Sequence, residues 1–192
     1  MTEKKKESRM ILMKEKMKKE MADSIRAFHM PRYEELPDGG LYLDQTVQYM
    51  NQVLQPLGCV SITTSMVSNY VKKGLIKAPV KKRYYAEQIA YLFYITIAKH
   101  VLSLEHVQLL RELQEKSYTK EIAYNYFCAE LENVLECVFG IKDELLDVGV
   151  TTSDEKTMFR DVIYSAASSI FLINCFDRIQ AERSERISYE RE

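Results

Sequence analysis

Residues 61–85, SITTSMVSNYVKKGLIKAPVKKRYY, decide the fold that we predict for this chain of 192 residues. The stretch opens with hydroxyl residues that suit a helix N-terminus, and it continues at helical spacing to Gly74, which suits a helix C-terminus. A loop with Pro79 follows. This order of parts predicts a helix-turn-helix with a small wing. The stretch has six basic side chains and no acidic one. They are Lys72, Lys73, Lys77, Lys81, Lys82 and Arg83.

The predicted helix 63–74 has an apolar and a polar face. Thr63 or Thr64 is expected to cap it, with Met66, Val67, Tyr70 and Val71 facing inward. Short polar side chains on the other face can contact base edges, and lysines can contact phosphates. We therefore expect helix 63–74 and the wing 77–85 to bind duplex DNA. The candidate DNA-binding residues are Thr63, Thr64, Ser65, Ser68, Asn69, Lys72, Lys73, Lys77, Lys81, Lys82, Arg83 and Tyr84.

Charge is unevenly distributed along the chain. The net charge is −1, but residues 1–20 carry eight basic and four acidic groups, and residues 86–192 carry eleven basic and nineteen acidic groups. This asymmetry indicates a nucleic-acid face joined to an acidic body. A run of lysines is also common on a solvated surface, and that interpretation stays open.

Part of the chain resembles the MerR-type winged helix. Arg83 and Tyr84 match the Arg-Tyr of that family, which implies that they contact phosphate at the base of the wing. Ser68 and Asn69 stand where the family has Arg-Tyr, so those two DNA contacts do not carry over. The other matching residues are Thr63, Tyr70, Gly74, Leu75, Ile76, Pro79, Ile89, Leu92, Ile95, Ala98, Ser103, Leu104, Glu105, Val107 and Leu110.

The chain as a whole resembles an uncharacterised bacterial family, domain of unknown function 1836. The resemblance rests on the motifs Pro31-Arg32-Tyr33, Leu36-Pro37 and Leu41-Tyr42-Leu43-Asp44-Gln45. The resemblance indicates which proteins are related to this chain, but it implies no activity.

The expected fold class is all-α, with a MerR-like winged helix-turn-helix and a C-terminal helical domain. Residues 1–28 are predicted to form an amphipathic helix or arm, 29–117 the winged helix-turn-helix domain, and 118–192 a dimerisation or effector domain. A packing helix is favoured for the arm over a DNA-binding or membrane-surface helix. Asp44, Ser103, Thr119 and Thr152 are the expected helix caps. An effector pocket would be lined by Tyr124, Phe127, Phe159, Phe171 and Phe176.

Motifs for other kinds of chemistry are absent from the sequence. Its four cysteines form no CxxC pair, and His100 and His106 have no partner at metal-ligand spacing. No phosphate loop or catalytic dyad is found, and Glu130, Glu132 and Glu136 are expected on a helix surface. The longest apolar run, residues 162–176, is shorter than the roughly 20 residues of a bilayer span. We expect a cytoplasmic protein without catalytic residues, metal, cofactor or membrane contact.

Two functions are consistent with these patterns. The favoured one is a transcriptional regulator that binds double-stranded DNA as a homodimer and responds to a small-molecule effector. The alternative is a protein–protein interaction module that uses a winged-helix scaffold without a DNA target, because the scaffold does not dictate nucleic-acid binding.

Overall fold

The computed structural model describes residues 3–115, 118–148 and 154–189, with side chains for 15–114, 118–148 and 154–184. Within these ranges the chain is mainly helical, as predicted. The α-helices are α1 (Glu3–Arg26), α2 (Leu43–Leu54), α3 (Thr64–Lys72), α4 (Ala86–Ala98), α5 (Leu104–Glu115), α6 (Lys120–Val138) and α7 (Asp154–Tyr189). The strands β1 (Leu41–Tyr42) and β2 (Arg83–Tyr84) form an antiparallel pair, and short 3₁₀ turns occupy Tyr33–Glu35 and Gln55–Leu57.

Three of the predicted helix caps are confirmed. The hydroxyl of Thr63 accepts a hydrogen bond from the Met66 amide at 3.2 Å, which caps α3. Ser103 accepts from the His106 amide at 3.2 Å, and Thr119 accepts from the Ile122 amide at 3.4 Å. Each bond satisfies a backbone amide that has no partner within its own helix.

The expected cap of α2 is wrong. Tyr42 occupies the N-cap position, and its amide donates to the side-chain oxygen of Gln45 at 3.0 Å. Asp44 lies inside the first turn, where its charge still complements the helix dipole. The fourth predicted cap, Thr152, lies outside the described residues.

The last turns of α1 pack against the protein body. The side chains of Met21, Ile25 and Phe28 are buried, and α1 contacts α6 and the 3₁₀ turn at Gln55–Leu57. Arg178 on α7 donates to Glu20 at 2.7 Å. These contacts support the packing interpretation for this end of the helix, which ends at Arg26 rather than at residue 28.

Helix α4 runs through the centre of the core. Ile89, Leu92, Phe93 and Ile97 are at most 1% exposed, and α4 contacts β2, α5, α6 and α7. Buried residues on both sides of residue 117 belong to one connected hydrophobic core. The domain boundaries 1–28, 29–117 and 118–192 stay a prediction.

Two of the carboxylates expected on a helix surface have structural partners. Glu130 is 0% exposed and lies 2.7 Å from Nε of Arg160. Glu132 accepts from both terminal nitrogens of Arg32, at 3.0 and 2.5 Å, and from the Met30 amide at 2.8 Å. These contacts join α6 to α7 and to the segment before the first 3₁₀ turn. The surface assignment is wrong for Glu130, whereas the Glu132 side chain is 21% exposed.

Helix α7 has the length and composition that a membrane span requires. Among the described residues, Asp154–Ser184 is the segment that meets both conditions, and 22% of its most apolar window is buried. A single helix of this kind is weak evidence for a span, because core helices of soluble proteins have similar composition.

Candidate nucleic-acid interface

Helix α3 exposes the face that the sequence predicts. Val67 and Tyr70 are buried, whereas Met66 and Val71 are partly buried against the core. The exposed residues follow one another at helical spacing of three and four positions. They are Ser65, Ser68, Asn69, Lys72 and Lys73, with exposed Thr63 and partly exposed Thr64 at the N-terminus.

Two side chains fix the chain that leads into α3. Asn51 on α2 donates to the Ile62 carbonyl and accepts from the Ile62 amide, both at 2.9 Å, as a paired strand would. The ammonium of Lys99 lies 3.4 Å from the Ser61 carbonyl. Sequence reasoning missed both residues because neither lies near residue 61 in the chain.

The end of α3 is set by Gly74. Its φ is +72°, and the following Leu75 amide donates back to the Tyr70 carbonyl at 2.9 Å. This is the predicted glycine C-terminus, because side chains disfavour positive φ. Leu75 and Ile76 are 2% and 3% exposed and anchor the connection to the wing.

The segment predicted as the wing contains a tight hairpin at Val80–Lys81–Lys82–Arg83. Val80 and Arg83 exchange two backbone hydrogen bonds, at 3.0 and 2.9 Å. Lys81 and Lys82 have φ of 49° and 65°, so both central residues lie in the left-handed region, as a type I′ turn requires. Both lysine side chains are exposed. The turn therefore holds two cations at its tip in a conformation that favours Asn and Gly.

Arg83 secures the wing to the neighbouring strand. In the strand register Tyr42 pairs with Arg83 and Leu41 pairs with Tyr84. The Arg83 guanidinium donates to the carbonyls of Gly39 at 3.1 Å and Gly40 at 3.0 Å, and it lies 4.5 Å from the Tyr42 ring centre. These contacts occupy much of its donor capacity and give Arg83 a role in holding the wing.

The placement of Tyr84 does not fit a DNA contact. Its side chain is 4% exposed and belongs to the hydrophobic core. Successive side chains of a strand point to opposite sides, and here Arg83 is partly exposed while Tyr84 is buried. We therefore remove Tyr84 from the candidate interface.

Lys77 is exposed but ion-paired. Its ammonium lies 3.1 Å from Oε1 of Glu87, which also lies 2.5 Å from Nζ of Lys120. Burial opposes ionisation of Glu87, but hydrogen bonds from Lys120 and Lys77 lower its pKa. The Gln88 side chain donates to the carbonyls of Lys77 and Ala78, at 3.2 and 3.0 Å. Lys77 thus links the start of the wing to α4 and α6.

The remaining lysines define the candidate interface. We call Lys72, Lys73, Lys81 and Lys82 the basic face. All four are exposed, and within the described part of the chain none has an ion-pair partner. The end of α3 and the tip of the hairpin therefore each carry two exposed lysines that have no acidic partner among the described residues.

An aromatic pocket lies behind the wing. Its lining includes three of the five residues predicted for an effector pocket, Tyr124, Phe127 and Phe159. Phe171 instead packs edge-on against Phe139 at 5.2 Å, and Phe176 is 61% exposed. Among the described residues, no group of three His, Cys, Asp or Glu side chains could hold a metal ion.

Comparison with known proteins identifies a family. A model of "Domain of unknown function (DUF1836)" matches residues 31–136, from the segment before α2 to the last turn of α6. No curated protein and no solved structure matches the chain. Because the match covers more than half of the 192 residues, the chain belongs to the DUF1836 family.

Proposed function

We propose that this protein is a transcriptional regulator that binds duplex DNA through α3 and the hairpin wing, in a MerR-like winged helix-turn-helix arrangement. The observation that carries the proposal is the basic face. Its four lysines are exposed and have no ion-pair partner among the described residues, so a contact with phosphate would not first have to break an ion pair. Lys72 and Lys73 follow the exposed polar residues at the C-terminal end of α3.

The polar stripe suits the major groove. Ser65, Ser68 and Asn69 are exposed, and short hydroxyl and amide side chains can donate to and accept from base edges. A single helix of this length contacts only a few base pairs. The lysines that follow on α3 would fix its position along the phosphate backbone.

Substitutions on α3 should separate affinity from sequence preference. Lys72→Ala and Lys73→Ala are each expected to weaken binding to all sequences and to lower the salt slope by about 1, because each removes one phosphate contact. Asn69→Ala and Ser65→Ala are expected to change the selected sequence at one or two positions, at about 1–3 kcal/mol per base pair. The measurement is selection from random duplex DNA, followed by fluorescence anisotropy titrations over a range of KCl concentrations.

The same titrations test the alternative function. A protein–protein interaction module would bind duplex DNA weakly, would select no sequence and would show no steep dependence on salt. Equal salt slopes for the wild type and both lysine variants would exclude the proposed interface.

A homodimer is part of the proposal, since two half-sites are normally needed for specific recognition. Helix α7 offers a surface for it. Leu172, Phe176 and Ile179 are 53%, 61% and 36% exposed, at spacings of four and three that place them on one side of the helix. Exposed apolar residues in such a row are typical of an interface between helices.

The pair of substitutions Leu172→Glu and Phe176→Glu is expected to convert the dimer to a monomer, because it places two like charges in the contact. Light scattering after size-exclusion chromatography gives the mass. Leu109→Glu on α5 is the matched control, since Leu109 is 56% exposed and lies outside α7. A mass that does not respond to the α7 pair would place the dimer contact elsewhere.

A further inference from the structure

Helix α7 leaves one side uncovered from residue 154 to residue 183. Its opposite side faces the core, where Phe159, Ile163 and Ile170 are at most 1% exposed. The exposed side chains of the uncovered side recur at spacings of four and seven residues, which keeps them on one side of a helix. We call them the outer row. They are Asp154, Met158, Ser165, Leu172, Ile179 and Arg183.

The outer row exposes large apolar side chains to water. Its three apolar members are 36–53% exposed, and Phe176 beside them is 61% exposed. A bilayer does not suit this side of the helix, because Asp161 is exposed between residues 158 and 165, and a carboxylate in the hydrocarbon core is costly. At the edge of a protein contact the same carboxylate can stay in water. The outer row therefore fits the surface of another protein.

The inner members of the outer row are placed symmetrically about one point of the helix. Met158 and Ile179 are equally distant along the chain from the midpoint of residues 168–169, and so are Ser165 and Leu172. A second copy of α7 can run antiparallel to the first, with a two-fold axis at this midpoint. Met158 then lies level with Ile179 of the second copy. Each leucine lies level with a serine, so a large side chain meets a small one and the helices can approach closely.

The charged ends of the outer row are symmetric about the same point, with opposite signs. Asp154 and Arg183 are equally distant from the midpoint, so the antiparallel pair sets each aspartate level with an arginine of the second copy. Both side chains are exposed, and neither has an ion-pair partner among the described residues. A parallel pair would set each of these charges, and Asp161, against its own copy. Because like charges across an interface are unfavourable, the charge pattern favours the antiparallel pair.

We propose that two copies of this chain pair antiparallel through α7, with the two-fold axis between Ser168 and Ser169 and an Asp154–Arg183 ion pair at each end. The paired segment is roughly 44 Å long, because a helix rises about 1.5 Å per residue. The proposal specifies the homodimer of the proposed function and rests on that part of it, but it does not depend on DNA binding.

Charge substitutions test the orientation of the two helices. Asp154→Arg and Arg183→Asp are each expected to weaken the dimer roughly tenfold, since each replaces two ion pairs with two like-charge contacts. The double variant exchanges the signs and should return the dissociation constant to near the wild-type value. Sedimentation equilibrium at about 50 mM KCl gives this constant, because low salt screens exposed charges less.

Asp177→Arg is the matched control for the charge substitutions. Asp177 is exposed on the same helix, but it lies seven residues after buried Ile170 and so on the side opposite the outer row. It should leave the dissociation constant of the dimer unchanged. Recovery in the double variant also separates a lost ion pair from a damaged helix, because a damaged helix would not recover.

Disulfide cross-linking tests the register. Cys175→Ser first removes the partly exposed thiol of α7, and a single cysteine is then added at residue 169 or 158. Ser169→Cys should cross-link to its own copy, because the two positions lie about one residue apart along the helices. Met158→Cys should not, because its two copies are separated by roughly 32 Å. Non-reducing electrophoresis gives the result, with the Cys175→Ser parent as the background.

Three results would overturn the proposal. Cross-links at both positions, with no response to the charge variants, would show a parallel pair. A dimer with neither cross-link and no charge response would place the contact outside α7. A monomer would remove the homodimer of the proposed function as well, and sedimentation of that monomer with phosphatidylglycerol vesicles would assign the outer row to a membrane. DNA binding is measured in separate titrations, so failure of the antiparallel geometry alone leaves the proposed DNA interface standing.

Discussion

Replacing Lys81 by Asn and Lys82 by Gly is expected to stabilise the protein and to weaken its DNA binding in the same variant. Both lysines have positive φ in a two-residue turn whose favoured sequence is Asn-Gly. Left-handed backbone costs an ordinary residue about 1–2 kcal/mol, and Gly avoids that cost. The substitution therefore relieves the backbone while it removes two of the four charges of the basic face.

The two effects have separate measurements. A gain of about 1 kcal/mol in the free energy of unfolding corresponds to a rise of about 2–4 °C in melting temperature for a chain of this size. The loss of two phosphate contacts should lower the salt slope of DNA binding by about 2 and the affinity by roughly tenfold or more at 0.1 M salt. Loss of binding in a more stable protein cannot be attributed to unfolding.

The control for this variant removes the same amount of charge elsewhere. Lys142→Gln with Arg183→Gln takes two positive charges from the C-terminal half and leaves α3 and the hairpin intact. It should bind DNA almost as the wild type does. If the Asn-Gly variant keeps the wild-type salt slope, the hairpin does not contact DNA.

The local features of this fold could be predicted from the sequence because short-range physics sets them. The cap at Thr63, the positive φ of Gly74 and the buried Val67 and Tyr70 all depend on residues within about five positions. Hydroxyl N-caps, glycine at a helix C-terminus and apolar residues at helical spacing indicate the same local structure in any helical protein. The exposed face of α3 could therefore be predicted from these local signals.

Contacts between distant segments could not be predicted in this way. The family resemblance implies a phosphate contact for Arg83, but the carbonyls of Gly39 and Gly40, more than 40 residues earlier in the chain, accept hydrogen bonds from its guanidinium. The same resemblance implies a phosphate contact for Tyr84, yet its side chain is 4% exposed and belongs to the core. A two-residue strand gives no alternation from which its inward side could be deduced.

The burial of Glu130 on α6 could not be predicted for the same reason. A glutamate on an amphipathic helix is usually exposed, and nothing within a few turns of Glu130 indicates otherwise. Its partner Arg160 follows 30 residues later, on a different helix.

Arg160→Leu is expected to destabilise the protein by about 3–5 kcal/mol at neutral pH, because it leaves a charge buried without a counter-ion. Glu130 is 0% exposed, and Nε of Arg160 lies 2.7 Å from its Oε1. Arg160 also donates to the Leu146 carbonyl at 2.8 Å, which adds to the loss. Chemical denaturation measured by circular dichroism gives the free energy of unfolding.

The loss of stability caused by Arg160→Leu should depend on pH in a defined direction. Burial raises the pKa of Glu130 even with Arg160 present, and Arg160 counteracts that rise. Without Arg160 the folded-state pKa lies still higher above the unfolded value, so the folded state binds the proton more tightly. The contribution to stability is then present at low pH and lost as pH rises through the folded pKa. Arg160→Leu should be destabilised less at pH 5 than at pH 8, relative to wild type.

Two further variants decide whether the buried charge is the cause. Adding Glu130→Leu to Arg160→Leu should recover most of the stability and abolish the pH dependence, since paired apolar replacement of a buried ion pair is often neutral or stabilising. Arg178→Leu also breaks a 2.7 Å ion pair of α7, but its partner Glu20 is 50% exposed, so its cost should stay below about 1 kcal/mol. Equal losses for the two arginine variants, or a double variant as unstable as Arg160→Leu alone, would mean that packing of the arginine side chain, rather than the orphaned carboxylate, sets the cost.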